Sequence, residues 1–498
     1  MREFAKAISF RRTVAFVGTL TCIALLVAYY DIFPSLRLFQ EDARSQYPLS
    51  APRTDPHSID DVILDEEDAS YLLDESVLQR RPLGVVSSSL ARNSHPTTAS
   101  PSPGSSPAEN VSLSPTNFEE YHKLQPSVRR RIQFTVHIVP HSHTDAGWIM
   151  PYDEYYTRRV RTIFTGVVTE LYKDSSLKFI WSDIQFFTTW WAEVTDELRY
   201  QCRVIVQRGQ LEFVNGGMTM NDEANVEYTS WINNMAMGHR FLQKTVNTTA
   251  QYGWCIDPFG ASAAQSHLYS LLGVRAAVHA RVEDRMKKTA TVPYNESAGL
   301  EYIWRSSGSQ KGMSNDVFTV LLPNGYTSPY YMSWEPEPPP SGRAQKIPDV
   351  NPATVGKTIK EMIPEIVMYL TGTRTPHTLF PWGGDFTFIN AQSMMRNMKA
   401  LINYFNNPPP HTWNESCMHD HPYNPQSHKD VANHHLPNAC ITAEGLLLTM
   451  DAPHLERLLP PREKGQPAGV EILLKWRMST LDDYFNSVHR FVHAHYRQ

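Results

Sequence analysis

An α/β fold of mostly parallel strands is what this sequence predicts, and three observations predict it. From Arg131 onward, short β-branched runs alternate with longer stretches of helical periodicity, the pattern of βαβ units. Three of the apolar stretches end in chemistry-bearing residues, at Pro140-His141-Ser142-His143-Thr144-Asp145, Ile256-Asp257-Pro258 and Gly384-Asp385, and α/β sheets hold their ligands beyond the carboxyl ends of the strands. The composition can fill a core: of 498 residues, 41% are hydrophobic and 11% aromatic, which excludes a wholly disordered chain. A formal net charge of -5 excludes a basic nucleic-acid binder.

The first element is apolar. Residues 13–30 carry no charge, Arg2, Lys6, Arg11 and Arg12 precede them, and Asp31 follows at once. With Ile32 and Phe33 the run 13–33 is just long enough for one membrane-crossing helix of about 20 residues, and the basic flank keeps residues 1–12 in the cytosol. A cleaved signal peptide is the alternative; no small-x-small cleavage site follows Tyr30. Residues 34–125 are rich in Pro, Ser and Thr, cannot bury enough apolar surface to fold, and read as a lumenal stem. Acceptor sequons at Asn110, Asn247, Asn295 and Asn414 agree with a lumenal address. Anchor, stem and sequons describe a type II protein of the secretory pathway, most like a Golgi-resident glycan-processing enzyme. Five cysteines, one of them in the apolar run, are too few for a disulfide scaffold.

The folded domain is expected at 126–498. Alternation predicts strands at 131–140, 177–181, 211–214, 252–256, 274–280 and 317–322, and helices at 154–171, 184–199, 230–246, 355–369 and 391–405. An H-x-D pair such as His143 and Asp145 on a post-strand loop can aim an imidazole nitrogen and a carboxylate oxygen at one cation, which is N/O ligation of the kind zinc takes. Asp257 is held extended by the proline after it, and a carboxylate fixed beside a metal can be ligand, nucleophile or both. Asp385, from a different strand, is then the candidate proton donor of a two-carboxylate glycosidase, where retention of configuration needs a gap of about 5 to 5.5 Å. Taken singly, His143 with Asp145 reads as a hydrogen-bonded pair and Asp385 as a helix cap.

The motifs HSHTDAGW with PYDEYY, and GWCIDPFG, resemble the zinc and nucleophile motifs of the glycoside hydrolase family 38 α-mannosidases. KFIWSDIQFFTTWW, LEFVNGGMTMNDEAN, LEYIWR, GGDFTFINA and STLDDYF extend the resemblance over residues 134–485 in the family's order, and the anchor and stem resemble its Golgi subgroup. The resemblance implies an N-terminal α/β barrel, zinc (Zn2+) held by His143, Asp145 and Asp257, Asp257 as nucleophile and Asp385 as general acid/base. It further implies a mannose-binding surface from Trp148, Phe259 and Arg281. The partners it implies are mannose-containing N-glycans on glycoproteins and, through the anchor, a membrane; a homodimer stays open.

Some features depart from that pattern. The family carries a further zinc-ligand histidine in a His-His-Asp motif soon after the segment matching STLDDYF, and the chain reaches Gln498 before one appears; a C-terminally incomplete domain is therefore expected, with an inactive glycan-binding pseudoenzyme as the alternative. His434 and His435 precede STLDDYF, and His489, His493 and His495 read as helix surface. Ala146 and Ala261 replace a usual proline and histidine, and the loop GYTSPYYMSWEPEPPP lacks the acidic pair expected of the Golgi subgroup. The stretch 408–440, with His411, His419, His421, His428, His434 and His435 between Cys417 and Cys440, reads as a solvated loop or a second metal site. His141 with His143 also spells the H-x-H of an amidohydrolase-type metal barrel, but no later-strand ligands accompany it.

Overall fold

The computed structural model describes residues 130–291, 299–306, 315–336, 342, 345–408, 438–442, 445–450, 459 and 470–496. The expected tail, anchor and stem, the histidines between 408 and 440, and the sequons at Asn110, Asn295 and Asn414 lie outside the described residues. Among the described residues, no helix is long and apolar enough to cross a membrane.

The chain forms β1 (Arg131–Pro140), α1 (Tyr152–Tyr155), a π turn (Tyr156–Val160), α2 (Arg161–Lys173), β2 (Phe179–Trp181), α3 (Ile184–Glu193), α4 (Asp196–Gln207), β3 (Leu211–Phe213), α5 (Tyr228–Val246) and β4 (Tyr252–Cys255). It continues through α6 (Ala263–Leu271), β5 (Ala276–His279), α7 (Asp284–Thr291), β6 (Glu301–Arg305), β7 (Asp316–Leu321), β8 (Met332–Ser333), β9 (Gln345–Lys346), α8 (Val355–Gly372), β10 (His377–Trp382) and α9 (Ala391–Asn406). The last described elements are β11 (Asn438–Thr442), β12 (Gly445–Met450), β13 (Val470–Met478) and α10 (Leu481–Tyr496).

β1 is an interior strand whose carboxyl half is buried on both faces, with His137 its one polar residue there, as a strand covered on both sides requires. It pairs in parallel with β10, Val136 opposite Thr378, and with β13, Phe134 opposite Leu474. β12 and β11 extend this five-stranded sheet antiparallel. β4, β5 and β7 form a second parallel ladder with β6 antiparallel at its edge, and β2–β3 and β8–β9 are parallel pairs. Among the described residues most pairings are parallel, as the alternation predicted, and the antiparallel pairings of β6, β11 and β12 make the sheets mixed. The reason is local: β11 and β12 are separated only by residues 443–444, and a connection that short permits only antiparallel pairing.

Hydrogen bonds join the sheets to one another. A bridge pairs His141 with Ile180, the Asn215 amide donates to the Tyr252 carbonyl, and the Ser328 amide donates to the Gly383 carbonyl. These links run β10–β1–β2–β3–β4–β5–β7 and return to β10, gathering the post-strand loops at one end.

The expected helix over 184–199 is two helices. Val194 and Thr195 turn extended, and the Thr195 side chain caps α4 by accepting from the Leu198 amide. The first helical stretch is continuous but widened by the π turn. On its inner side Tyr155 stacks on Phe386 at 4.1 Å between ring centroids; on its outer side Arg161 Nε donates to Glu193 Oε1 at 2.6 Å. Beneath it Phe164 packs on Trp181 and Trp190, all three buried, at about 1.5–3 kcal/mol for an aromatic ring of this size.

Candidate metal centre and active site

β1 delivers His143 and Asp145 to the end of the barrel-like ring, and the loop after it is locked to the loop after β10. The His143 amide donates to the Gly384 carbonyl at 3.0 Å, and the Phe386 amide donates to the His143 carbonyl at 2.8 Å, so His143 and Asp385 pair as in a parallel bridge. Gly383 is required there, since a Cβ would stand 2.0 Å from the His141 carbonyl oxygen. Phe386 and Phe388 follow with φ of 52° and 71°, left-handed conformations that cost about 1–3 kcal/mol each and that surrounding structure must enforce.

β4 delivers Asp257. His143 Nε2 lies 3.2 Å from Asp145 Oδ1 and 3.4 Å from Asp257 Oδ2, and one ligand atom from each of the three residues falls within 4.8 Å of the others. His143 is buried, yet among the described residues neither of its ring nitrogens has a hydrogen-bond partner. Burial alone would suppress charge on this ring; the two carboxylates outweigh it and hold the His143 proton affinity well above the usual imidazole range. Ligand atoms about 2.0–2.1 Å from a tetrahedral zinc stand roughly 3.3 Å apart, which is the spacing His143 Nε2 already has to an oxygen of each carboxylate. The donor set, one imidazole and two carboxylates, fits zinc.

The two oxygens of Asp257 have different partners. Oδ2 faces His143, while Oδ1 receives Arg281 Nε at 2.6 Å and Nη2 at 2.5 Å. Burial would raise this carboxyl, but His143 and Arg281 overcome that and lower it below the usual range. Asp385 has the opposite balance: burial raises it above the usual range, against the opposing effect of His143 and of the Tyr326 hydroxyl, which donates to Asp385 Oδ1 at 2.9 Å. Neighbouring carboxyls pushed apart in this way are suited to different roles, one ionised and one able to carry a proton.

Arg281 covers the Phe259 ring at 4.5 Å. Phe259 is 77% exposed and Trp148, on the loop after Asp145, 53%, and aromatic side chains are common in the lining of ligand sites. His141, the other half of the H-x-H spelling, is not in the metal group. Its Nε2 bonds the Tyr326 carbonyl at 2.7 Å, its ring packs on Trp254, and burial lowers its pKa to about 3. His489 and His493 lie edge to face on α10, both half-buried, and belong to no metal-ligand group among the described residues.

Sequence reasoning missed Tyr326 and Asp183. Tyr326 lies in a loop with no motif spacing to mark it. Asp183 is fully buried, accepts from the Thr144 and Ser182 hydroxyls at 3.3 and 2.9 Å and from the Met220 amide at 3.1 Å, and only the tertiary fold brings those donors together.

The chain is similar in sequence to known proteins. A family model described as "Glycosyl hydrolases family 38 N-terminal domain" matches residues 133–438. Alpha-mannosidase B of Dictyostelium discoideum is 35% identical over 292 residues, covering 54% of this chain and 28% of the relative. Lysosomal alpha-mannosidase of Mus musculus is 33% identical over 284 residues, covering 54% and 27%. The chain thus spans less than a third of the length of these curated relatives. Among solved structures, an alpha-mannosidase from Enterococcus faecalis aligns with a TM-score of 0.45 at 18% identity over 72% of this chain and 29% of that one.

Proposed function

Because this chain belongs to glycosyl hydrolase family 38, with the N-terminal domain matched over residues 133–438, we propose that it is a zinc-dependent retaining α-mannosidase acting on N-linked glycans during glycoprotein processing. The observation that carries the reading is the convergence of His143, Asp145 and Asp257 on one point beside a half-buried Asp385. The names of the relatives support a mannoside as substrate.

His143, Asp145 and Asp257 would hold the zinc, which when bound supplies Lewis acidity and a template for the hydroxyls of the sugar. Asp257 attacks the anomeric carbon as the bond to the leaving oxygen breaks, and Asp385 gives its proton to that oxygen. Asp385 then takes a proton from the water that opens the mannosyl ester on Asp257, returning both carboxyls to their starting states. Arg281 holds Oδ1 of the nucleophile in place, and Phe259 and Trp148 give the sugar an apolar surface. The apolar run at 13–33 and the stem at 34–125 support a single-pass type II protein with 126–498 as its lumenal catalytic domain, in the manner of Golgi α-mannosidase II.

The test is Asp257→Ala. Hydrolysis of an aryl α-mannoside should fall below detection while the melting temperature and circular dichroism stay close to those of the parent protein. Full activity in that variant would remove Asp257 from the chemistry and with it the proposed mechanism.

A further inference from the structure

Residues 216–225, between β3 and α5, supply none of the groups used above, yet buried side chains tie them to both halves of the site. Met220 donates its amide to Asp183 Oδ1, and Asp183 Oδ2 accepts from Thr144, the residue between His143 and Asp145. Glu223, buried, accepts the Ser262 amide at 2.7 Å, closing the loop that starts at Asp257. Glu223 Oε1 also lies 3.7 Å from His279 Nδ1, at the end of the strand that delivers Arg281. Asn221 Nδ2 adds a bond to Gln265 Oε1 at 3.0 Å, in the first turn of α6.

The segment is itself held by close packing. Gly216 and Gly217 lie against α5: a Cβ on Gly217 would stand 2.5 Å from Asn234 Nδ2, and one on Gly238 would stand 2.0 Å from the Gly216 carbonyl oxygen. Asn234 bonds Thr219 in both directions, accepting its amide at 3.0 Å and donating to its carbonyl at 2.9 Å. On the other side the Ile184 and Gln185 amides donate to the Gly217 and Met218 carbonyls. Two buried carboxylates are a costly way to support loops that apolar packing could also support, so their use points to placement rather than cohesion.

We infer that residues 216–225 are a bracket that sets the distance between the His143/Asp145 loop and the Asp257 loop, with Asp183 and Glu223 as positioning residues. The inference rests on the metal reading above. Outer groups that orient ligands typically govern metal affinity about 10- to 100-fold. Glu223 uses one oxygen for Ser262, and a glutamine can supply the same acceptor; Asp183 uses both oxygens, and asparagine can supply only one.

The experiment uses the full chain, first metal-free by hydrogen exchange and then in zinc competition against a chelator. In the metal-free protein, Glu223→Ala should speed exchange in peptides spanning 257–262, Asp183→Ala in peptides spanning 143–147, and Gly217→Ala in both, with the rest of the sheet unchanged. Zinc affinity should fall about 10- to 100-fold in each alanine variant, return to parent level in Glu223→Gln, and return only in part in Asp183→Asn. Unchanged exchange in both loops, or exchange raised uniformly across the sheet, overturns the bracket. If an alanine variant does not fold, Glu223→Gln and Asp183→Asn still decide, since equal behaviour of the two overturns the assignment. A parent protein that binds no zinc but shows the loop-specific exchange would remove the metal reading and leave the bracket standing.

Discussion

Within the site, Asp385 and Tyr326 set a direction that pH can read. The Tyr326 hydroxyl favours the ionised carboxylate and so opposes the upward push of burial on Asp385. Tyr326→Phe removes that opposition, the carboxyl keeps its proton to higher pH, and the alkaline limb of the kcat profile should move upward. A limb that stays in place or moves down, measured on an aryl α-mannoside, would take the proton-donor role away from Asp385. Legibility at this scale followed chemistry and chain position. His143, Asp145, Asp257 and Asp385 could be read because each combines a reactive side chain with the end of an apolar strand. Tyr326 and Glu223 could not, because their roles consist of partners that are distant in sequence and adjacent only after folding; Asp183 does follow an apolar strand, but its bonds to Thr144 and Met220 exist only in the folded chain.

Single elements were legible where hydrophobic periodicity is strong and lost where a local cap or a distant partner decides. The break between α3 and α4 turns on one capping hydroxyl, and Thr195→Ala should cost about 1 kcal/mol of stability in chemical denaturation. β13 escaped notice although its sequence, VEILLKWRM, is apolar, because nothing local shows that it pairs with β1, more than 300 residues earlier. Glu212 on β3 accepts the Asp482 amide at the start of α10, and burial raises its pKa to about 8. A carboxyl raised in the fold stabilises it fully below its unfolded value of about 4.5 and ceases to do so as pH rises through about 8. Glu212→Gln cannot ionise, so its melting temperature relative to the parent should rise steadily from pH 5 to pH 8. A difference independent of pH would show that Glu212 does not titrate with folding.

For the molecule as a whole, the metal reading makes stability depend on a small ion. Zinc at a hundred times its dissociation constant should add about 2.7 kcal/mol, so a chelator should lower the melting temperature and excess zinc should restore it; no response would count against the site. The compartment has its own test. Asn247 is exposed at the carboxyl end of α5 in a left-handed conformation, on the side of the fold where β4 begins and away from the carboxyl-end loops. Secreted expression should add a glycan there that a glycosidase removes and Asn247→Gln abolishes. One further consequence lies in the π turn at Tyr156–Val160. Relative to an α-helix a π turn carries one extra residue, and deleting a residue from a helix swings its two ends apart by about 100°. A chain one residue shorter at this turn could keep Tyr155 under Phe386, or Arg161 on Glu193, but not both. The extra residue acts as a fixed angular offset between the buried floor of the site and the outer surface, so single-residue deletions here should be tolerated far less well than substitutions.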